Sequence, residues 1–173
     1  MSKTSVVMVL CGGFLCAVPA CPQAGAISGS DQQFVNTAAQ TDMTEAHVGQ
    51  MAQDRGASQG VKDFGQTLVT DHTSDYTQLS TIVAKDGGTV PKGLDAAHDR
   101  MIAPFDRLKG AAFDHKFAQE MVMGHTKAIA EYRREAKDGQ NADIKAYANQ
   151  ALPTLEKHLQ MARDLAKSKG KKK

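Results

Sequence analysis

Residues 68–76 read LVTDHTSDY and residues 121–129 read MVMGHTKAI. Each places a histidine among apolar residues at helical spacing, and the two stretches match beyond the histidine. An offset of 53 positions (72 to 125) lays Phe64 on Phe117, Gln66 on Gln119, Leu68 on Met121, Val69 on Val122 and Thr73 on Thr126. Amphipathic helices resemble one another by chance, but Phe-x-Gln-x-x-Val-x-x-His-Thr is a specific string to share. It favours duplication within a helical chain. A weaker echo joins Glu45-Ala46-His47-Val48 to Glu156-Lys157-His158-Leu159.

Working outward, the chain reads as four long helical patterns separated by short breaks. The first opens at Ser30-Asp31, a good N-cap pair, and runs to Gly56. Its apolar stripe passes through Phe34, Ala38, Thr41, Glu45, Val48 and Ala52. The second starts near Ser58 and stops at Asp86-Gly87-Gly88, with Val61, Phe64, Leu68, His72, Tyr76, Leu79 and Val83 on one face. A short helix follows around LDAAHDRMIAPFDRL, which Pro104 bends or ends. The third long pattern begins after Gly110 and carries Phe113, Phe117, Met121, His125, Ala128 and Tyr132. The fourth is capped by Asn141 and carries Ile144, Ala148, Ala151, Leu155, His158, Ala162 and Leu165; Pro153 inside it removes one hydrogen bond and should kink it. The pattern predicts an all-α, antiparallel four-helix bundle over residues 30–166, with the extra short helix between the second and third.

The 173-residue length suits one domain. With no tryptophan and few aromatics, the core must be filled by Ala, Leu, Val and Met, which fits close-packed helices. The net charge of +2 is uneven. The tail KSKGKKK, residues 167–173, carries five lysines, and Lys3 adds a sixth; removing these six leaves −4 for the rest. A mildly acidic domain offers no basic face for nucleic acid, and the lysine tail reads as a flexible end. Peripheral association with an anionic envelope surface is its functional alternative, and a homo-oligomer is open.

The first 26 residues read as a secretory signal peptide. A single positive charge precedes the apolar run VVMVLCGGFLCAV, and small residues follow in PACPQAGA. Cleavage after Ala20 or Ala26 is expected. Val18-Pro19-Ala20-Cys21 faintly resembles a lipobox, so lipidation at Cys21 is the alternative. The apolar run is short for a bilayer span, and no later segment could cross one. All three cysteines, Cys11, Cys16 and Cys21, lie in this leader, which leaves the mature chain without a disulfide or a thiolate. The expected location is the periplasm or cell envelope.

Each long helix places one ionisable residue on its apolar stripe: Glu45, His72, His125 and His158. Buried ionisable groups must meet each other, water or a ligand. Three imidazoles and a carboxylate at mid-bundle make a candidate site for a transition metal such as zinc, iron or copper. Asp75, one turn after His72, could orient its ring or add a ligand. Asp71 lies about 100° away on the wheel and reads as a surface charge. The alternative is a buried polar network in which the histidines only pack and fix helix register. His47, flanked by Met43 and Met51, is a weaker soft-ligand trio.

Enzymatic patterns are missing. A di-iron carboxylate centre needs Glu-x-x-His on two helices, but the residues three after Glu45, Glu120, Glu131, Glu135 and Glu156 are Val48, Met123, Arg134, Asp138 and Leu159. Neither a glycine-rich phosphate loop nor a Gly-x-Ser-x-Gly elbow is present, and no catalytic residue is assigned.

Taken in order, Phe34-Val35, Ala38-Ala39-Gln40, Met43-Thr44-Glu45, Leu68-Val69-Thr70-Asp71-His72, Met123-Gly124-His125-Thr126 and Leu152-Pro153-Thr154-Leu155-Glu156-Lys157-His158-Leu159 resemble the domain-of-unknown-function 4142 family. That resemblance covers Ser30 to Ala166. It implies exported bacterial proteins with a ferritin-like bundle, often labelled putative outer-membrane proteins, and it implies no settled activity. Two positions depart from the family pattern: Gly124 stands where the third helix usually has the Asp of an Asp-His pair, and His47 stands where Glu is expected.

Overall fold

The computed structural model describes residues 27–168. The proposed signal peptide, with its three cysteines, and lysines 169 and 171–173 of the tail lie outside the described residues. Five α-helices follow in order: α1 (Gly29–Arg55), α2 (Gln59–Lys85), α3 (Ala96–Ile102), α4 (Gly110–Asp138) and α5 (Ala142–Ser168), with a 3-10 turn at Ala103–Arg107 after α3. No strand occurs among the described residues. None of the described helices is long and apolar enough to cross a membrane.

The helix ends follow local chemistry. Ser28, rather than the expected Ser30-Asp31 pair, caps α1 by accepting the Asp31 N–H at 3.1 Å. Asp31 is free for another task because its side chain points into the protein. It accepts the backbone N–H groups of Gln140 and Asn141 at 3.0 and 2.9 Å, in the turn between α4 and α5. Asp114 on α4 does the same for Ala57 and Ser58, in the turn between α1 and α2, at 2.8 and 3.1 Å. Asn141 caps α5 as its sequence position suggests, accepting from Asp143 and Ile144. At the end of α2, Gly87 has φ +73°, and Gly87 and Gly88 donate to Ala84 and Val83, a Schellman arrangement that needs the left-handed glycine. Pro104 sits in the first turn of the 3-10 segment, where its missing N–H is harmless, and α5 passes through Pro153 without ending.

The core falls into two apolar clusters. One contains Phe34, Val35, Leu79, Val83, Ile129, Tyr132, Ile144 and Tyr147; the other contains Val48, Val61, Phe64, Leu68, Phe113, Phe117 and Ala162. Helices α1 and α5 enter the first cluster and leave through the second, whereas α2 and α4 run the opposite way. The segment from Asp86 to Lys109 therefore travels the length of the bundle. Gln40 anchors it by donating to the Gly93 carbonyl at 2.9 Å and accepting the Asp95 N–H at 3.0 Å, and the Tyr76 hydroxyl donates to the Pro91 carbonyl at 2.7 Å. This segment covers α1, adding Ile102 and Phe105 to the second cluster. As a result 13 residues of α1 are buried, a broader face than the single stripe expected from sequence.

These directions refine the internal repeat. Because α2 and α4 run the same way, the offset of 53 relates two parallel helices. The two hairpins correspond through a different offset, 83 (31 to 114), which pairs Asp31 with Asp114, Phe34 with Phe117, Gly56 with Gly139 and Val61 with Ile144. The matching tasks of Asp31 and Asp114 are the structural trace of that second correspondence.

Candidate metal centre

Between the two apolar clusters lies a polar layer to which each long helix contributes: Glu45 from α1, His72 from α2, His125 from α4 and His158 from α5. All four are buried. The three imidazole rings form a near-regular triangle, with centroids 5.9 Å apart for His72–His125, 5.4 Å for His72–His158 and 5.2 Å for His125–His158. One nitrogen from each ring lies within 4.8 Å of the others. Three nitrogens around a tetrahedral ion sit roughly 3.4 Å apart at ordinary zinc–nitrogen distances of about 2.0–2.1 Å. Phe64 and Phe117 close the layer from one side; the Phe64 ring lies 6.3 Å from His125 and 5.8 Å from His158.

Each ring is held by its far nitrogen. His72 Nδ1 bonds to Asp42 Oδ1 at 2.9 Å, His125 Nδ1 to the Met121 carbonyl at 2.9 Å, and His158 Nε2 to Asp71 Oδ2 at 2.8 Å. A carbonyl only accepts, so His125 must carry its proton on Nδ1, leaving a bare lone pair on Nε2. The Asp71 carboxylate likewise accepts the N–H of neutral His158 at Nε2 and leaves Nδ1 bare. Burial holds both rings neutral: His125 is lowered by desolvation against the pull of Glu45, and His158 falls to about 4 by desolvation against its bond to Asp71. Such far-side bonds to carboxylates and carbonyls are the usual support of metal-ligating histidines.

The inward atoms remain without partners. Glu45 Oε2, His72 Nε2, His125 Nε2 and His158 Nδ1 are buried and make no hydrogen bond. Glu45 Oε2 lies 3.2 Å from both His72 Nε2 and His125 Nε2, yet neither contact is aligned as a hydrogen bond. Burial would raise Glu45, but His125 and His72 bring it down to about 2; burial would lower His72, but Glu45 and Asp42 raise it to about 10. One ion pair, Glu45 with His72, is therefore internally compensated. The bare Nε2 of His125 faces the same carboxylate with no proton between them.

The structure thus brings together all four residues that the sequence singled out. Asp75 stands apart from that group: it comes within 4.8 Å of the Asp42–His72 pair, and the bond that orients the His72 ring is made by Asp42. Asp42 was missed because the stripe of α1 was traced through Thr41, which is only half-buried, and not through its buried neighbour. The spacing Asp42-x-x-Glu45, one turn on a single face, carries the signal. Asp71 corrects an expectation. It is not a free surface charge, because α5 packs over the flank of α2 that the helical wheel assigns to solvent. His47 is exposed and Met51 is buried, so the trio with Met43 does not converge.

Fold and site together define an all-helical bundle with a buried cluster of three histidines that could hold a metal ion, with Glu45 beside two of them. The chain belongs to the domain-of-unknown-function 4142 family, whose model, described as "Domain of unknown function (DUF4142)", matches residues 16–165. Among solved structures it is similar to the "Crystal structure of DUF305 fragment from Deinococcus radiodurans", with a TM-score of 0.72 and 14% identity over 83% of this chain and 99% of that one. At such identity the likeness speaks for the fold alone. No curated protein matches.

Proposed function

We infer that this chain is an exported, ferritin-like antiparallel four-helix bundle that binds one transition-metal ion through His72 Nε2, His125 Nε2, His158 Nδ1 and Glu45 Oε2. Its role is metal handling or metal-linked stress protection in the cell envelope, without catalysis of its own. The reading rests on one observation above all: one nitrogen from each of the three buried imidazoles comes within 4.8 Å of the others, Glu45 Oε2 lies 3.2 Å from two of the rings, and none of the four inward atoms has a hydrogen-bond partner. The ferritin-like topology is supported by the helix directions and the full-length crossover between α2 and α4. Export is supported by the charged, apolar and small-residue order of the first 26 residues.

Elemental analysis of the purified protein after equilibration with zinc, copper and iron tests it. Near-stoichiometric metal is expected in the wild type and none in His125→Ala, with helical circular dichroism retained in both. A wild type that takes up none of the three ions sinks the proposal. In that event the second reading stands, in which Glu45 and His72 form a self-neutralising buried pair and the histidines serve packing and register.

A further inference from the structure

The centre is walled from solvent by Glu45, and the far side of that wall is a groove. Glu45 of α1, Met121, Met123 and Gly124 of α4 and Met101 of the crossover segment line a cavity of about 180 Å³, together with the charged Glu120 and Lys127 of α4. Met101 and Met123 are the exposed large hydrophobic side chains among the described residues, 55% and 58% accessible, and both stand at this groove. Met121 lies deeper in it, and its carbonyl holds the His125 ring. The two oxygens of Glu45 differ in outlook. Oε2 looks onto His72 and His125, whereas Oε1 faces Gly124, where an added Cβ would lie 3.3 Å away. The missing side chain at 124 is thus what leaves the carboxylate reachable from the groove.

We propose that this groove is the portal of the buried centre, through which a soft cuprous ion is captured by the thioethers of Met101 and Met123 and passed across Glu45 to the three histidines. The proposal rests on the metal-binding reading above and adds to it a route and an ion class. Thioethers discriminate by softness: they bind cuprous copper and leave harder divalent ions to oxygen and imidazole. Two methionines held in water at the mouth of a cavity that ends on a buried carboxylate are not explained by core packing. Glu45 is the one site residue that touches both compartments. A carboxylate that swings between groove and centre replaces each ligand lost on one side with one gained on the other.

The experiment measures uptake rates on the full purified protein with two ions: cuprous ion supplied anaerobically from a chromophoric chelator, and Co(II) followed by its visible absorption. Met101→Leu/Met123→Leu keeps the groove's shape and removes the sulfurs. It should slow cuprous uptake and leave the Co(II) rate at the wild-type value. Gly124→Leu, which fills the opening, should slow both ions by a similar factor. The final metal content should equal wild type in both variants. Gly124→Ala, with the smaller side chain, provides a milder block should the leucine perturb the helix. Wild-type cuprous rates in the double leucine variant, or wild-type rates for both ions in Gly124→Leu, overturn the portal while leaving the centre intact. Uptake that survives in His125→Ala shows that the ions never reach the histidines, and overturns the metal-binding reading together with the portal.

Discussion

Replacement of Asp71 separates a supporting role from a surface one. Its Oδ2 accepts the His158 Nε2 proton at 2.8 Å, and its side chain is 33% accessible, so the carboxylate is reached by solvent on one side and by the ring on the other. Folding should hardly register its loss. A partly exposed hydrogen bond contributes on the order of 0.5–1.5 kcal/mol. Metal affinity should register it strongly. Without Asp71 the His158 ring loses both the group that fixes its tautomer, with Nδ1 bare, and the negative charge that makes Nδ1 a better donor. Loss of such a partner costs about 10–100-fold in affinity, or roughly 1.4–2.7 kcal/mol. Asp71→Asn keeps an accepting oxygen and should fall near tenfold; Asp71→Ala keeps neither function and should approach a hundredfold. Competitive titration of zinc against a chromophoric chelator gives the affinities, and thermal melts of the apo-proteins give the stability control. Should Asp71→Ala bind within about twofold of wild type while His158→Ala loses binding, the bond at 2.8 Å has no part in the centre.

Metal added at about one hundred times its dissociation constant should stabilise the fold by about 2.7 kcal/mol. For a domain of this size that is roughly 5–10 °C in Tm, seen by scanning calorimetry in wild type and absent in His125→Ala. The Gly65 Cα faces α1 so closely that a Cβ would meet the Gly49 carbonyl at 2.5 Å and the Ala52 Cβ at 2.8 Å. Gly65→Ala should therefore destabilise by about 1–3 kcal/mol in urea unfolding, despite alanine's better helix propensity; a neutral or stabilising result contradicts the packing of α1 on α2. Glu135 is raised to about 7 by burial and by the neighbouring Asp31, with which it shares a hydrogen bond. Because its folded value lies above the ordinary 4.5, the native state binds the extra proton. Its contribution is full below about pH 4.5 and is lost as pH rises through about 7. Glu135→Gln should flatten that decline in urea midpoints measured across this range, and a wild type whose midpoint rises from pH 5 to 7 while the variant's does not removes the explanation.

Much of the fold was legible because helix chemistry is local. The 3.6-residue period located every long helix to within a few residues, and the Gly87-Gly88 and Asn141 ends were marked by residues that act on their own backbone. The start of α1 was misplaced because Asp31, a strong cap former, is drawn instead to the backbone of a turn more than a hundred residues away. That competition cannot be read from neighbours in sequence. The buried width of α1 was underestimated for a related reason, since the crossover segment that covers it packs through Ile102 and Phe105, far along the chain.

The sequence by itself determined the helices, their apolar faces, and the presence of one ionisable residue on each of four stripes. Periodicity is a property of single helices, so it could name Glu45, His72, His125 and His158 but not their mutual distances. Tertiary structure decided that the four meet in one layer between two apolar clusters, that Asp42, Asp71 and the Met121 carbonyl hold the rings, and that Gly124 opens Glu45 to a methionine-lined groove. The reason is geometric. A helical wheel divides each helix into inside and outside, but in a bundle the flanks of that wheel face neighbouring helices, and what a flank residue touches depends on which helix the chain places beside it. Asp71 shows the difference most plainly: alone on α2 it is a surface charge, and beside α5 it sets the proton on His158.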